Sequence, residues 1–265
     1  MQPLPVDTHI HTIYCGHASE DMLVANILKA ARDKGLEAIA ITEHLHRPHD
    51  RGRLDRILAD LRKEQAPCEV YLGAEIDADG LAEDGSLVTE AEGLAYVIAS
   101  THHYPGGKFW WYDTPELTAD ERAQVVERWF TWAGKVVANP RVCTFAHPGI
   151  LVSRNGLTDA YEGAVLDGFR RLFAQAAEHD TMVELNELIA KKLTPRHQET
   201  YPDLMRAARE SGCKLVLASD AHQPAAVGRF EWTVQVAEAL GLEAADFSIP
   251  AWRADPVARP EVGHA

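Results

Sequence analysis

Short runs rich in apolar and β-branched residues recur along this chain, each followed by a longer amphipathic stretch. That alternation admits little besides βα units around a parallel sheet. Seven strands are predicted, over Leu4–His9, Glu37–Ile41, Val70–Ile76, Ala95–Ser100, Val142–Phe145, Met182–Leu185 and Lys214–Ala218. Each is nearly continuous in its apolar character, as expected of strands covered on both faces. Helical patterns fill the intervals at Ser19–Lys34, Arg53–Glu64, Thr118–Ala138, Ala160–His179, Tyr201–Ser211 and Ala225–Leu240. Ser19 ahead of Glu20 and Asp21, and Thr118 ahead of Glu121, have the form of helix caps. Gly35 and Gly212 stand where left-handed helix stops belong.

The chain has 265 residues, of which 46% are hydrophobic. Barrels of this α/β kind run to roughly 200–250 residues as one unit, so a single barrel over residues 1–249 is expected. Residues 250–265, rich in Pro and Ala and without apolar periodicity, form a tail expected to lie against the barrel or fray. The longest apolar runs, such as Leu36–Ile41 and Leu94–Ala99, fall far short of the ~20 residues that cross a bilayer. The first residues lack a basic region followed by an apolar stretch, so a cytoplasmic location is the expectation. Cys15, Cys68, Cys143 and Cys213 are widely spaced, without a C-x-x-C pair, and read as reduced thiols. Cys15 lies between two candidate ligands but reads as a small loop residue. A formal charge of −14 disfavours long nucleic acid and anionic membranes as partners.

The residues able to carry chemistry gather at the predicted carboxyl ends of the strands, where βα loops build one concave face. Strand one ends in Asp7-Thr8-His9-Ile10-His11, strand two in Thr42-Glu43-His44 and strand three in Gly73-Ala74-Glu75. Strand four ends in Ser100-Thr101-His102-His103, strand five in Ala146-His147-Pro148, strand six in Glu184-Leu185-Asn186 and strand seven in Ser219-Asp220-Ala221-His222. Imidazole and carboxylate donors suit divalent zinc, manganese or iron, and their recurrence on one rim points to a multi-metal hydrolytic site. His46, His49, His179, His197 and His264 sit in polar surroundings or at a helix end and read as solvated.

The same residues resemble the PHP family, named for polymerase and histidinol phosphatase. Its motifs are an H-x-H near the start, T-D/E-H, a strand-end Glu, S-x-H, a later His and a final S-D-A-H, and they are matched over Leu4 to Gly228. The resemblance implies a distorted (β/α)7 TIM-like barrel with two or three divalent ions. Carried over by residue, it implies one ion on His9, His11, Glu75 and Asp220, with Glu75 bridging to a second on His102 and His147. A third falls to His17, His44 and His222. Asp7 and Glu43 are expected behind the ligands, fixing imidazole orientation.

Hydrolysis of a small phosphomonoester by a metal-bridging hydroxide is the expected reaction, with Glu75, Asp220 and His222 as catalytic residues. Arg154 after strand five, Lys191 after strand six, and His103, on the opposite side of the strand end from His102, are the expected substrate contacts. Histidinol phosphate is the nearest substrate implied, although the loop after strand six lacks the S-G-L-R stretch associated with histidinol phosphatases. Other readings of the same donors are a phosphodiesterase or nuclease on short oligonucleotides or nucleotide bisphosphates, a metallo-amidohydrolase, and a non-catalytic metal-binding regulatory module. The aromatic segment Phe109–Tyr112 suits either a lid or a packed patch.

Overall fold

The computed structural model describes residues 4–45, 50–87, 91–103, 117–154 and 156–260. Its elements run β1 (Val6–Ile10), α1 (Val24–Asp33), β2 (Ala38–His44), α2 (Arg51–Leu61), β3 (Glu69–Asp77), β4 (Tyr96–Ser100), α3 (Ala119–Val137), β5 (Thr144–Phe145), α4 (Ile150–Arg154), α5 (Gly163–Glu178), β6 (Met182–Asn186), α6 (Pro195–Glu210), β7 (Leu215–Ala218) and α7 (Glu231–Ala239). All seven strands are parallel and lie in chain order in one sheet. The sheet curls until its first and last strands meet. Ile10 bridges Ala221, the His11 N–H donates to the Ala221 carbonyl at 3.0 Å, and the Ala221 N–H donates to the His9 carbonyl at 3.2 Å. Closure is therefore made at one end of the β1–β7 seam rather than along a full ladder, which gives the barrel its distortion.

Strand alternation decides what lines the lumen. Val6, Ala38, Ala40, Tyr71, Tyr96 and Ile98 form a small inner cluster, while Ile39, Ile41, Val70, Leu72 and Val97 join the large core beneath the helices. Extending the inward parity toward the strand ends adds His44 on β2, Glu75 on β3 and Glu184 on β6. The polar rim is thus the top of the same inward-facing rows. Gly73 permits this on β3: a Cβ there would meet the Tyr96 carbonyl oxygen at 2.5 Å and the Thr42 methyl at 2.9 Å.

Several expected boundaries move, for identifiable reasons. α1 begins at Val24 rather than Ser19, because the Ser19 N–H donates to the His222 carbonyl at 2.9 Å and pins its segment to the rim. α6 begins at Pro195 rather than Tyr201, with Thr194 as its cap. His197, expected in solvent, is 1% exposed; its ring nitrogens lie 2.7 Å from the Thr194 hydroxyl and 3.0 Å from the Thr158 hydroxyl. The expected helix Ala225–Leu240 is broken at Gly228 (φ 65°), whose N–H donates to Asp7 Oδ2 at 2.8 Å. Thr118 and Glu121 do form a capping box, and Gly35 and Gly212 adopt φ of 66° and 87°. No helix among the described residues is long and apolar enough to cross a membrane.

The chain after α7 crosses the end of the barrel opposite the rim. Ser248 N–H donates to the Leu215 carbonyl, Arg253 N–H to Ala95 and Val257 N–H to Val70. Trp252 stacks on Tyr71 at 4.0 Å between ring centroids and meets Tyr96 edge-on. Trp252→Ala is expected to lower stability by about 2 kcal/mol, below the ~3–5 kcal/mol of a fully buried Trp because this ring is half-buried. Urea unfolding checks this, with metal content unchanged.

All four cysteines are buried and unpaired. Burial pushes the Cys68 thiol up to about 11 and the Cys213 thiol up to about 12, and Cys213 donates to the Phe173 carbonyl at 3.0 Å. Both therefore stay protonated well above pH 8. Neither should be alkylated at that pH until the chain unfolds, which mass spectrometry of native and denatured protein can read.

Candidate metal centre

The register of β1 against β2 shifts between Asp7 and Ile10, the stretch that carries the first histidine of the H-x-H motif. His9 Nε2 and His11 Nε2 lie 2.9 Å apart. Glu75 Oε2 is 3.5 Å from the first and 3.3 Å from the second, and Asp220 Oδ1 is 3.5 Å and 3.4 Å away. Two nitrogens and two oxygens from β1, β3 and the turn after β7 thus face one point. The opposite oxygen of Glu75 lies 3.0 Å from His147 Nε2, and Oε2 also lies 3.0 Å from His44 Nδ1. His9, His11, His44, Glu75, His147 and Asp220 are all buried.

The converging donor sets among the described residues are His9–His11–Asp220, His9–Glu75–His147, His11–His44–His222 and Cys15–His17–His222, each spanning no more than 4.8 Å. The first two share His9 and carry the donors expected for the inner ions. His102 stands beside them, its ring stacked on His147 at 4.6 Å and 13°. The outer donors His17, His44 and His222 are brought together. His17 and His222 meet at 2.9 Å between Nε2 atoms, the His17 and His44 rings lie 5.1 Å apart, and His44 converges with His222 as well as lying 3.0 Å from Glu75. Cys15 joins His17 and His222 in a further set.

The electrostatics fit cations here. Burial alone would raise the Glu75 and Asp220 carboxyls, yet the surrounding imidazoles, His44 foremost for Glu75 and His9 for Asp220, hold both well below the usual carboxylate range. Burial pushes His102 and His222 down to about 3, the latter also by way of His11, so these rings are neutral with lone pairs to offer. His9 and His11 are the opposite case: against the burial that would lower them, the facing acids, Glu184 first for His9 and Asp220 first for His11, push them up. Carboxylates and imidazoles thus share protons that a divalent ion would displace, and the residues fit that group.

Two of the converging donor residues adopt left-handed backbone, His147 at φ 27° and Asp220 at φ 53°. Such positions persist where neighbours over-determine them. For His147 the constraint is Glu184, whose Oε2 accepts the His147 N–H at 2.9 Å and the Asn186 amide at 3.0 Å. Its other oxygen lies 2.9 Å from His9 Nδ1 and so aims His9 Nε2 at the other donors. Sequence reading placed Glu184 on the rim without a role. The available signal was an acid at an inward position of the apolar run Met182-Val183-Glu184-Leu185.

Of the expected outer partners, Glu43 lies 3.6 Å from His11 Nδ1 and accepts from the Thr12 N–H and hydroxyl and the His44 N–H. Asp7 corrects its assignment. Its carboxylate accepts the amides of His9, Ser219 and Gly228 rather than orienting a ring, because it stands at the β1–β7 seam. His103 Nδ1 lies 2.6 Å from Asp77 Oδ2, and Asp77 also accepts the His103 N–H. Lys191 lines a cavity of about 520 Å³ with His222, Gln223, Arg229 and Trp232. A larger cavity of about 860 Å³ lies by Lys135 and Asn139, away from all these ligands. The Arg154 side chain, and Phe109–Tyr112, His46 and His49, lie outside the described residues.

Glu184→Gln keeps the size of the side chain and removes the charge behind His9. Metal affinity is expected to fall about 10–100-fold. Calorimetric titration with zinc checks this; unchanged affinity would leave Glu184 a packing residue.

The PHP domain model matches residues 7–188. The chain is 30% identical over 250 residues to the probable histidinol-phosphatase of Deinococcus radiodurans, covering 84% of this chain and 88% of that protein. A probable phosphatase of Thermoanaerobacter sp. strain X514 is 26% identical over 245 residues, covering 90% and 87%. Among solved structures, HisK of Listeria monocytogenes, a candidate histidinol phosphatase, superposes with a TM-score of 0.62 at 18% identity over 84% of this chain and 97% of that one, a likeness of fold.

Proposed function

The chain belongs to the PHP domain family, and from that premise we propose that it is a metal-dependent phosphatase acting on small phosphomonoesters. The observation that carries this reading is the placement of Glu75 between His9, His11, His44 and His147, with Asp220 across from it. His9, His11, Glu75 and Asp220 would hold one ion, Glu75 and His147, with His102 beside them, a second, and the residues around His222 a third. Bound there, two or three ions of the zinc, manganese or iron class acidify water and neutralise charge gathering on phosphoryl oxygens.

The chain's own residues supply orientation and recognition. Glu184 fixes the His9 ring, and the left-handed turns at His147 and Asp220 hold their side chains at the mouth. Asp77 anchors His103 on the rim, where its ring, partly exposed, borders the space a substrate would enter. The cavity shared by His222, Lys191 and Trp232 opens beside the ligands and is large enough for the alcohol part of a small ester. Trp232 offers a flat apolar wall and Lys191 a cation. Arg229 is paired with Glu231, so it contributes less free charge.

Purified protein loaded with zinc or manganese is expected to release inorganic phosphate from histidinol phosphate or another small monoester, and far less from a short oligonucleotide. Chelation should abolish turnover and added metal restore it. Asp220→Asn should lower kcat by about 100-fold or more, since losing a ligand costs at least the ~10–100-fold of losing a partner behind one. A metal-replete enzyme inert on a broad monoester panel would reject the proposal.

A further inference from the structure

Cys15 closes a 3₁₀ turn, Ile13–Cys15, capped by Thr12, and Gly16 at φ 84° reverses the chain behind it. The reversal brings His17 back alongside the sulfur. Cys15 Sγ, a His17 ring nitrogen and a His222 ring nitrogen then lie within 4.8 Å of one another. His44 also converges on His222, in a set with His11, while its Nδ1 lies 3.0 Å from Glu75. The Cys15 side chain is 8% exposed, and its sulfur accepts two backbone amides, Ala18 N–H at 3.1 Å and His17 N–H at 3.5 Å. The two amides hold the sulfur in place beside the His17 and His222 rings. The Ser19 amide, bonded to the His222 carbonyl, fixes the same loop to the far side of the group.

We propose that Cys15 is a metal ligand, completing with His17 and His222 an outer site with one sulfur and two nitrogen donors. This rests on the metal-centre reading above. Soft thiolate selects zinc, cobalt or iron over manganese and magnesium, so the outer site differs in preference from the oxygen-rich inner ones. Binding displaces the thiol proton to solvent as the metal–sulfur bond forms, and no oxidant or reductant takes part.

The test uses the full chain, stripped by a chelator and titrated with Co²⁺. A thiolate-to-cobalt charge-transfer band is expected in the near-ultraviolet, and Cys15 should become protected from iodoacetamide as the band grows. Cys15→Ser should lose the band, keep the inner ions, and hold the outer one at least about tenfold more weakly. If that variant does not fold, the wild-type band and alkylation rate of Cys15, read by mass spectrometry, decide alone. Cobalt taken up without a band, and with Cys15 alkylated equally fast loaded or stripped, overturns the proposal and leaves the inner centre intact. A chain that retains no cobalt overturns both readings.

Discussion

One carboxylate, Glu75, lies within 3.5 Å of imidazoles from β1, β2 and the turn after β5. A charge buried at that depth is tolerable only when compensated on every side, and no single βα unit supplies the compensation. It arises from strands far apart in sequence that become neighbours only because the sheet curls into a barrel. The narrow seam between His9–His11 and Ala221 is therefore part of the metal centre as well as of the fold. Asp7, buried beneath the seam, accepts the Ser219 and Gly228 amides across it and the His9 amide on its own strand, and so keeps the two halves of the inner donor set in register.

Holding donors this closely conflicts with relaxed local geometry. Left-handed backbone at His147 and Asp220 costs about 1–3 kcal/mol each, and Glu184 is sunk in the lumen to hold the first of them. Gly73 is the matching concession on β3, where a side chain would collide with the Tyr96 backbone two residues before Glu75. Local choices that look unfavourable one at a time agree once the site is considered as a unit.

The strands and the rim were legible in the sequence because continuous apolar runs mark the strands and a His, Asp or Glu stands at or just past the carboxyl end of each. Helix limits were less legible where tertiary contacts override local signals. Ser19 resembles a cap but serves the rim, and Pro195 starts a helix whose first turn has little apolar content. Glu184 had no assigned role, and Asp7 was assigned to ring orientation rather than to the seam amides, because a buried acid's partners are set by three-dimensional proximity and lie far away in the chain. Cys15 reads in sequence as a small loop residue and His197 as a solvated one, whereas the surroundings of both are set by segments that fold back on them. The closing segment around Trp252 lacked periodicity because it crosses strand ends one residue at a time instead of forming an element.

The seam also dictates an order of events during synthesis. Its hydrogen bonds join the first strand to residue 221, so the inner pocket cannot exist while the chain is still short of its last strand. Until then His9 and His11 are two solvated side chains on an unpaired edge, and the entropic cost of bringing such distant segments together has yet to be met. The donors that face Glu75 and Asp220 can consequently converge only after residue 220 has been added.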